Sequence, residues 1–91
     1  MRRDRLDILA DILQVIHNGN NRDSNIASKS GVGFYRFNKV YKVSLVKGGL
    51  IKIRNDSQSN WVLTERGCEY LVKYRELERL CPALSRIGGL R

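Results

Sequence analysis

An α+β domain is what this sequence predicts, on three observations. Apolar residues recur at helical spacing in four stretches, at 4–16, 23–30, 34–47 and 65–80. Between the last two, Leu50-Ile51-Lys52-Ile53-Arg54 alternates apolar with basic, a polar run follows, and Trp61-Val62-Leu63 returns, which is the pattern of a hairpin. Glycine or asparagine stands where the first three helices have to stop. The arrangement is a three-helix core, a β-hairpin and a closing helix, in a single domain over residues 1–91. A chain of 91 residues, 42% apolar and 29% charged with one Pro, suits one folded unit. A unit of that size buries only about 60 to 65% of the surface its unfolded chain exposes, so a second subunit is expected to cover more.

The first helix carries Leu6, Leu9, Leu13 and Ile16 on one stripe and Ile8, Ile12 and Val15 on another. Asp4, Asp7, Asp11, Gln14 and Asn18 form the narrow polar line that is left. More than half of the circumference is apolar, so one stripe is expected on the domain and the other, Ile8, Ile12 and Val15, on a partner. Asn18-Gly19-Asn20-Asn21 closes this helix, and Asp23-Ser24-Asn25 supplies capping residues for a short second one to Ser30. Gly31-Val32-Gly33 turns the chain into the third helix, 34–47. There the period places Phe37, Val40, Tyr41, Ser44 and Leu45 inward and Tyr35, Arg36, Lys39 and Lys42 outward. Gly48-Gly49 stops it. In the following strand Ile51 and Ile53 are expected inward and Lys52 and Arg54 outward, with 55–60 as the hairpin tip. Thr64 is a good N-cap for the last helix, and Pro82 marks its end or a kink.

Charge is distributed unevenly. The chain has 17 Lys+Arg against 9 Asp+Glu, a net of +8. Residues 22–54 hold eight of the basic residues, Arg22, Lys29, Arg36, Lys39, Lys42, Lys47, Lys52 and Arg54, and one acidic residue, Asp23. A solubility device would spread its charge. A middle third that concentrates it has the electrostatic footprint of a polyanion-binding surface.

The residues also carry a family resemblance. Ile26-Ala27, Gly31-Val32, then Phe37, Val40 and Leu45, then Gly49-Leu50-Ile51 match a helix-turn-helix core and the lead into a wing. Trp61-Val62-Leu63-Thr64-Glu65-Arg66-Gly67 matches the aromatic, Leu-Thr and Gly pattern that closes such a wing. Over residues 4 to 80 the chain resembles small archaeal winged helix-turn-helix transcriptional regulators, and the related crenarchaeal chromatin proteins that dimerise through a C-terminal helix. The resemblance implies a DNA-binding homodimer. Two features depart from it: Gly33 stands where a Ser or Thr cap is usual, and the last helix is shorter than the coiled coil of the chromatin proteins.

Independently of the resemblance, a helix that enters a major groove needs polar and cationic side chains for base edges and flanking cations for phosphates. Tyr35, Arg36, Asn38, Lys39 and Lys42 supply the first set. Arg36 can bond guanine in bidentate fashion, Asn38 can pair with adenine if it points outward, and Tyr35 can reach a phosphate or a thymine methyl. Lys29, Lys47, Lys52 and Arg54 are the expected positioning contacts. The resulting expectation is a sequence-specific, double-stranded DNA-binding transcriptional regulator acting as a homodimer. The alternatives are a weakly specific chromatin protein and a winged helix used for protein interaction, the latter calling for an apolar or acidic face on the third helix.

The dimer is expected along the last helix, where Tyr70, Tyr74, Leu77, Cys81 and Leu84 follow coiled-coil steps within 65–84. Two Cys thirteen residues apart and a single His offer neither a disulfide framework nor zinc spacing, and no nucleophile motif frames Ser, His and Asp. The sequence therefore points to no metal, no cofactor, no catalysis and no small-molecule ligand. No stretch reaches the roughly 20 apolar residues of a membrane span, and the expected location is cytoplasmic.

Overall fold

The computed structural model describes residues 4–54 and 60–80. In order along the chain these form α1 (Arg5–His17), α2 (Asp23–Ser30), a composite helix, a hairpin and α5 (Glu65–Leu80). The composite helix comprises α3 (Phe34–Arg36), a π-helical turn (Phe37–Tyr41) and α4 (Lys42–Lys47). The hairpin pairs β1 (Ile51–Ile53) with β2 (Trp61–Leu63) antiparallel, Ile51 opposite Leu63, Lys52 opposite Val62 and Ile53 opposite Trp61. The α+β class and all the predicted elements are present. Asp4 caps α1 by accepting from the Asp7 amide at 3.0 Å, and Gly31 closes α2 in the left-handed conformation at φ 78°.

The core lies where α1, α2, the composite helix, the hairpin and α5 meet. Its fully buried members include Ile12, Leu13, Ile26, Phe37 and Leu45, each contributing on the order of 1.5 to 3 kcal/mol by leaving water. Both apolar stripes of α1 serve this core. Ile12 has no exposed surface, while Ile8 and Val15 are partly buried against the same cluster. The expectation that Ile8, Ile12 and Val15 face a partner is thus corrected for Ile12, which the chain itself covers completely. The reason is that α1 is the central element: α2 approaches it from one side, β2 and α5 from others.

A second correction concerns the composite helix. Phe37, Tyr41 and Leu45 are buried as predicted, but Val40 is 39% exposed and Ser44 is exposed, while Lys42 is drawn half inward. An i→i+5 turn takes in one residue more than an α-turn, so everything after it is rotated relative to a regular helix. Residues four apart then share a face, and the positions expected beside them move out. A third concerns Ile53, which is 37% exposed although Trp61 opposite it belongs to the core. A fourth is Asp23: no side chain caps α2, and the carboxylate is used elsewhere.

The hairpin and α5 are joined by a tight corner. The Thr64 amide donates to the Leu50 carbonyl at 3.0 Å, the Thr64 hydroxyl donates to the Gly49 carbonyl, and the Gly67 amide donates to Thr64 Oγ1 at 3.1 Å. A Cβ on Gly67 would stand 2.3 Å from the Leu50 carbonyl oxygen. The Leu63-Thr64-Glu65-Arg66-Gly67 run is therefore a cap followed by a close backbone approach.

Tyr70 and Tyr74 stack at 6.5 Å between centroids and turn toward α1 of their own chain. The Tyr70 hydroxyl donates to the Leu6 carbonyl at 2.9 Å, the Tyr74 hydroxyl to Asp7 Oδ1, and Arg75 to the Gln14 side chain. Burial raises the pKa of both phenols. For Tyr74 the hydrogen bond to Asp7 and the negative charges of Asp7, Glu78 and Asp11 raise it further; for Tyr70, Asp4 and Asp7 do so. Because the fold holds these protons more tightly than the unfolded chain does, their contribution is intact below the ordinary value of 10.0 and is lost as pH rises above it. The thermal midpoint is accordingly expected to fall above pH 10, and less steeply in Tyr74→Phe; a variant with an unchanged alkaline slope would contradict this contact.

Candidate nucleic-acid interface

The composite helix packs on α2 through its first half and buries Phe37, Tyr41 and Leu45 in the core, which leaves its opposite side to solvent. On that side Tyr35 is 72% exposed, and Arg36, Lys39 and Lys47 are exposed as well. The Lys39 ammonium lies 5.9 Å from the Tyr35 ring centroid, a cation–π contact between neighbouring turns. Arg22 before α2, Lys29 in its last turn, and Lys52 and Arg54 on and after β1 are exposed too. Seven of the eight cations of residues 22–54 are thus solvent-facing on the elements around the composite helix.

The eighth is Lys42. Its ammonium donates to Asp23 Oδ2 at 2.9 Å and sits 5.6 Å from the Trp61 ring centroid and 6.0 Å from that of Phe37. The other Asp23 oxygen accepts from the Trp61 indole N–H at 2.7 Å. Trp61 is further fixed by paired bonds with Asn21: its amide donates to the Asn21 carbonyl at 2.9 Å, and the Asn21 side-chain amide donates to the Trp61 carbonyl at 2.6 Å. One carboxylate therefore ties the start of α2, the composite helix and the hairpin together. A charge-assisted bond of this kind is stronger than a neutral one and directional. Lys42, expected on the outer face, is instead neutralised inside this node.

Two further candidates are engaged within the helix. Asn38 is half-buried and donates from its side-chain nitrogen to the Phe34 carbonyl at 3.0 Å, so presenting that group to a base edge means giving up this bond. Arg36 donates to the Tyr41 hydroxyl at 3.2 Å with its guanidinium 5.8 Å from the Tyr41 ring centroid. It stays exposed and can swing outward at the cost of a weak contact. Sequence reasoning missed Asp23 and Trp61 as the organisers of this surface, and missed Val43 and Val46, each 44% exposed on the helix.

On α5, Leu77 is 60% and Leu80 78% exposed, whereas Tyr70 and Tyr74 pack on α1. Cys81 and Leu84 lie outside the described residues, as does the hairpin tip at 55–59. Among the described residues, no group of three or more His, Cys, Asp or Glu could hold a metal ion, and no helix is long and apolar enough to cross a membrane.

A basic, solvent-facing helix held on a shorter helix and flanked by a β-hairpin defines a helix-turn-helix domain with a wing. The chain belongs to the winged helix-turn-helix family, whose model matches residues 2–81. Among solved structures it is similar to Sso10a-2, a DNA-binding protein from Sulfolobus solfataricus, with a TM-score of 0.70 and 22% identity, covering 97% of this chain and 96% of that one. At that identity the likeness is one of fold. No curated protein matches the chain.

Proposed function

We propose that the protein binds double-stranded DNA as a homodimer and acts as a sequence-specific transcriptional regulator. The observation that carries the reading is the seven exposed cations on and beside the composite helix, set on a fold of the kind found in the DNA-binding protein Sso10a-2. The composite helix enters the major groove, with Tyr35, Arg36 and Lys39 nearest the bases and Lys47 toward its far end. Lys29, Lys52, Arg54 and Arg22 hold phosphates. Lys42 acts indirectly, by fixing the helix to the wing.

Dimerisation runs through the end of α5, where Leu77 and Leu80 are uncovered and the pattern continues to Cys81 and Leu84. A two-fold dimer would present its helices to successive major grooves about 34 Å apart, so the preferred site is a palindrome with half-sites about one turn apart or a multiple of it. A second reading, a chromatin-type protein of low specificity, draws support from Asn38 and Lys42, two potential base readers that are engaged within the protein.

Selection from random duplexes, followed by affinities for the selected and for scrambled DNA at one salt concentration, separates the two. A ratio of about 10³ or more supports regulation, and a ratio near one supports the chromatin reading. Absence of binding to either would refute DNA recognition. In sedimentation equilibrium the wild-type chain is expected to be a dimer and Leu77→Asp a folded monomer, since Leu77 makes little contact with its own domain. A folded dimeric Leu77→Asp would exclude this seam.

A further inference from the structure

The outermost line of the composite helix is Tyr35, Lys39, Val43 and Lys47, each four residues beyond the last. The i→i+5 turn at Phe37–Tyr41 keeps them in line, and the contact between Lys39 and Tyr35 shows the first pair touching. Val43 therefore stands between two lysines at the crest of the helix, 44% exposed, with Val40 and Val46 on its shoulders at 39% and 44%. These valines have no part in the core, which Phe37, Tyr41 and Leu45 already fill. A solvated helix face gains nothing from them: exposed apolar surface is unfavourable, and a β-branched residue is a poorer helix former than Lys, Glu or Ala.

An occupant of this face has to be apolar opposite the valines and anionic around them, because Lys39 and Lys47 lie on the same line and Arg36 on one shoulder. The major groove at an A·T pair has that pattern. Phosphates line its walls, and the thymine C5-methyl projects from its floor, where aliphatic side chains make contact with it. Cytosine offers no methyl there and presents an N4 amino donor that a valine would leave unpaired.

We infer that Val43 is a specificity-determining residue that reads the thymine C5-methyl group in the major groove, with Val40 and Val46 closing the contact on either side. The inference rests on the DNA-binding reading above and names the base that reading favours. It also explains how a helix whose Asn38 and Lys42 are engaged internally still discriminates between bases.

The test uses a duplex of alternating A·T pairs and the same duplex made with deoxyuridine for thymidine, which removes the C5-methyl and nothing else. Each is titrated with the wild-type chain and with Val43→Ala at one salt concentration. Wild type is expected to prefer the thymidine duplex by about fourfold for each methyl covered, the ratio that burial of one such group supplies. Val43→Ala is expected to lower that preference, since the shorter side chain leaves more of each methyl uncovered. Its thermal midpoint is expected to be no lower than that of wild type, since Val43 lies outside the core and Ala is the better helix former. Equal wild-type affinity for the two duplexes overturns the inference, and so does a preference that Val43→Ala retains in full. Indifference to the methyl, together with Val43-dependent binding of an acidic leucine-rich peptide, would assign the face to a protein partner. Failure to bind either duplex overturns DNA recognition itself and this inference with it, an outcome distinct from binding both alike.

Discussion

DNA affinity is expected to fall about 10⁴- to 10⁵-fold as salt rises from about 50 to 200 mM. Arg22, Lys29, Arg36, Lys39, Lys47, Lys52 and Arg54 are all exposed on or beside the composite helix. If four or five of them meet phosphates in each subunit, a dimer releases the counterions of eight to ten contacts. The slope of log K against log[salt] is then roughly −7 to −9. Fluorescence anisotropy over a salt series measures it. Lys47→Ala and Lys52→Ala are expected to flatten the slope by about one unit per contact removed and to weaken all sequences alike. Lys42→Ala is expected to leave the slope nearly unchanged, because Asp23 already balances that ammonium at 2.9 Å. A slope near zero would show that the charged surface does not meet DNA.

The largest loss of stability is expected from Gly67→Ala. The added Cβ would lie 2.3 Å from the Leu50 carbonyl oxygen and 3.3 Å from its carbon, and these are backbone atoms that no rotamer change can move aside. Retreat of that carbonyl would also break the bond it accepts from the Thr64 amide at 3.0 Å, so the corner between hairpin and α5 has to open. Overpacking of a well-filled site costs about 1 to 3 kcal/mol, and loss of the corner adds to it. In a domain with about 5 to 10 kcal/mol in all, much of the fold's margin disappears. Thr64→Ala, which removes a cap, is expected to cost only about 1 kcal/mol. Urea unfolding of the two variants orders them; a Gly67→Ala protein as stable as wild type would show that α5 does not rest on the Leu50 carbonyl.

Much of the basic surface is legible in the sequence. Exposure of Tyr35, Arg36, Lys39, Lys47, Lys29, Lys52 and Arg54 follows from charge and periodicity, since a solvated cation needs only a place on the outer face of its own element. Val40, Val43 and Lys42 escaped that reasoning. Their positions depend on one extra residue in a turn, and a wider turn is chosen by what the helix packs against, with no local residue to announce it. Ile12 escaped for a related reason. Two apolar stripes on α1 are equally visible in the sequence, but whether a partner or the chain itself covers the second depends on how the rest of the chain closes around α1.

The sequence by itself determined the helices, the hairpin, their order and the segregation of charge, because each is encoded by neighbours: the Asp4 cap, the Gly31 stop, the alternation from Leu50 to Arg54, the Thr64 cap. Tertiary structure alone decided how those elements are rotated and which charges remain free. Asp23 meets Trp61 across 38 positions, and Tyr74 meets Asp7 across 67. Contacts over such separations depend on the closure of the whole chain, which no local window of sequence contains. They bind the wing to the composite helix, turn the tyrosines of α5 onto α1, and withdraw Lys42 from the surface while Val43 remains on the crest.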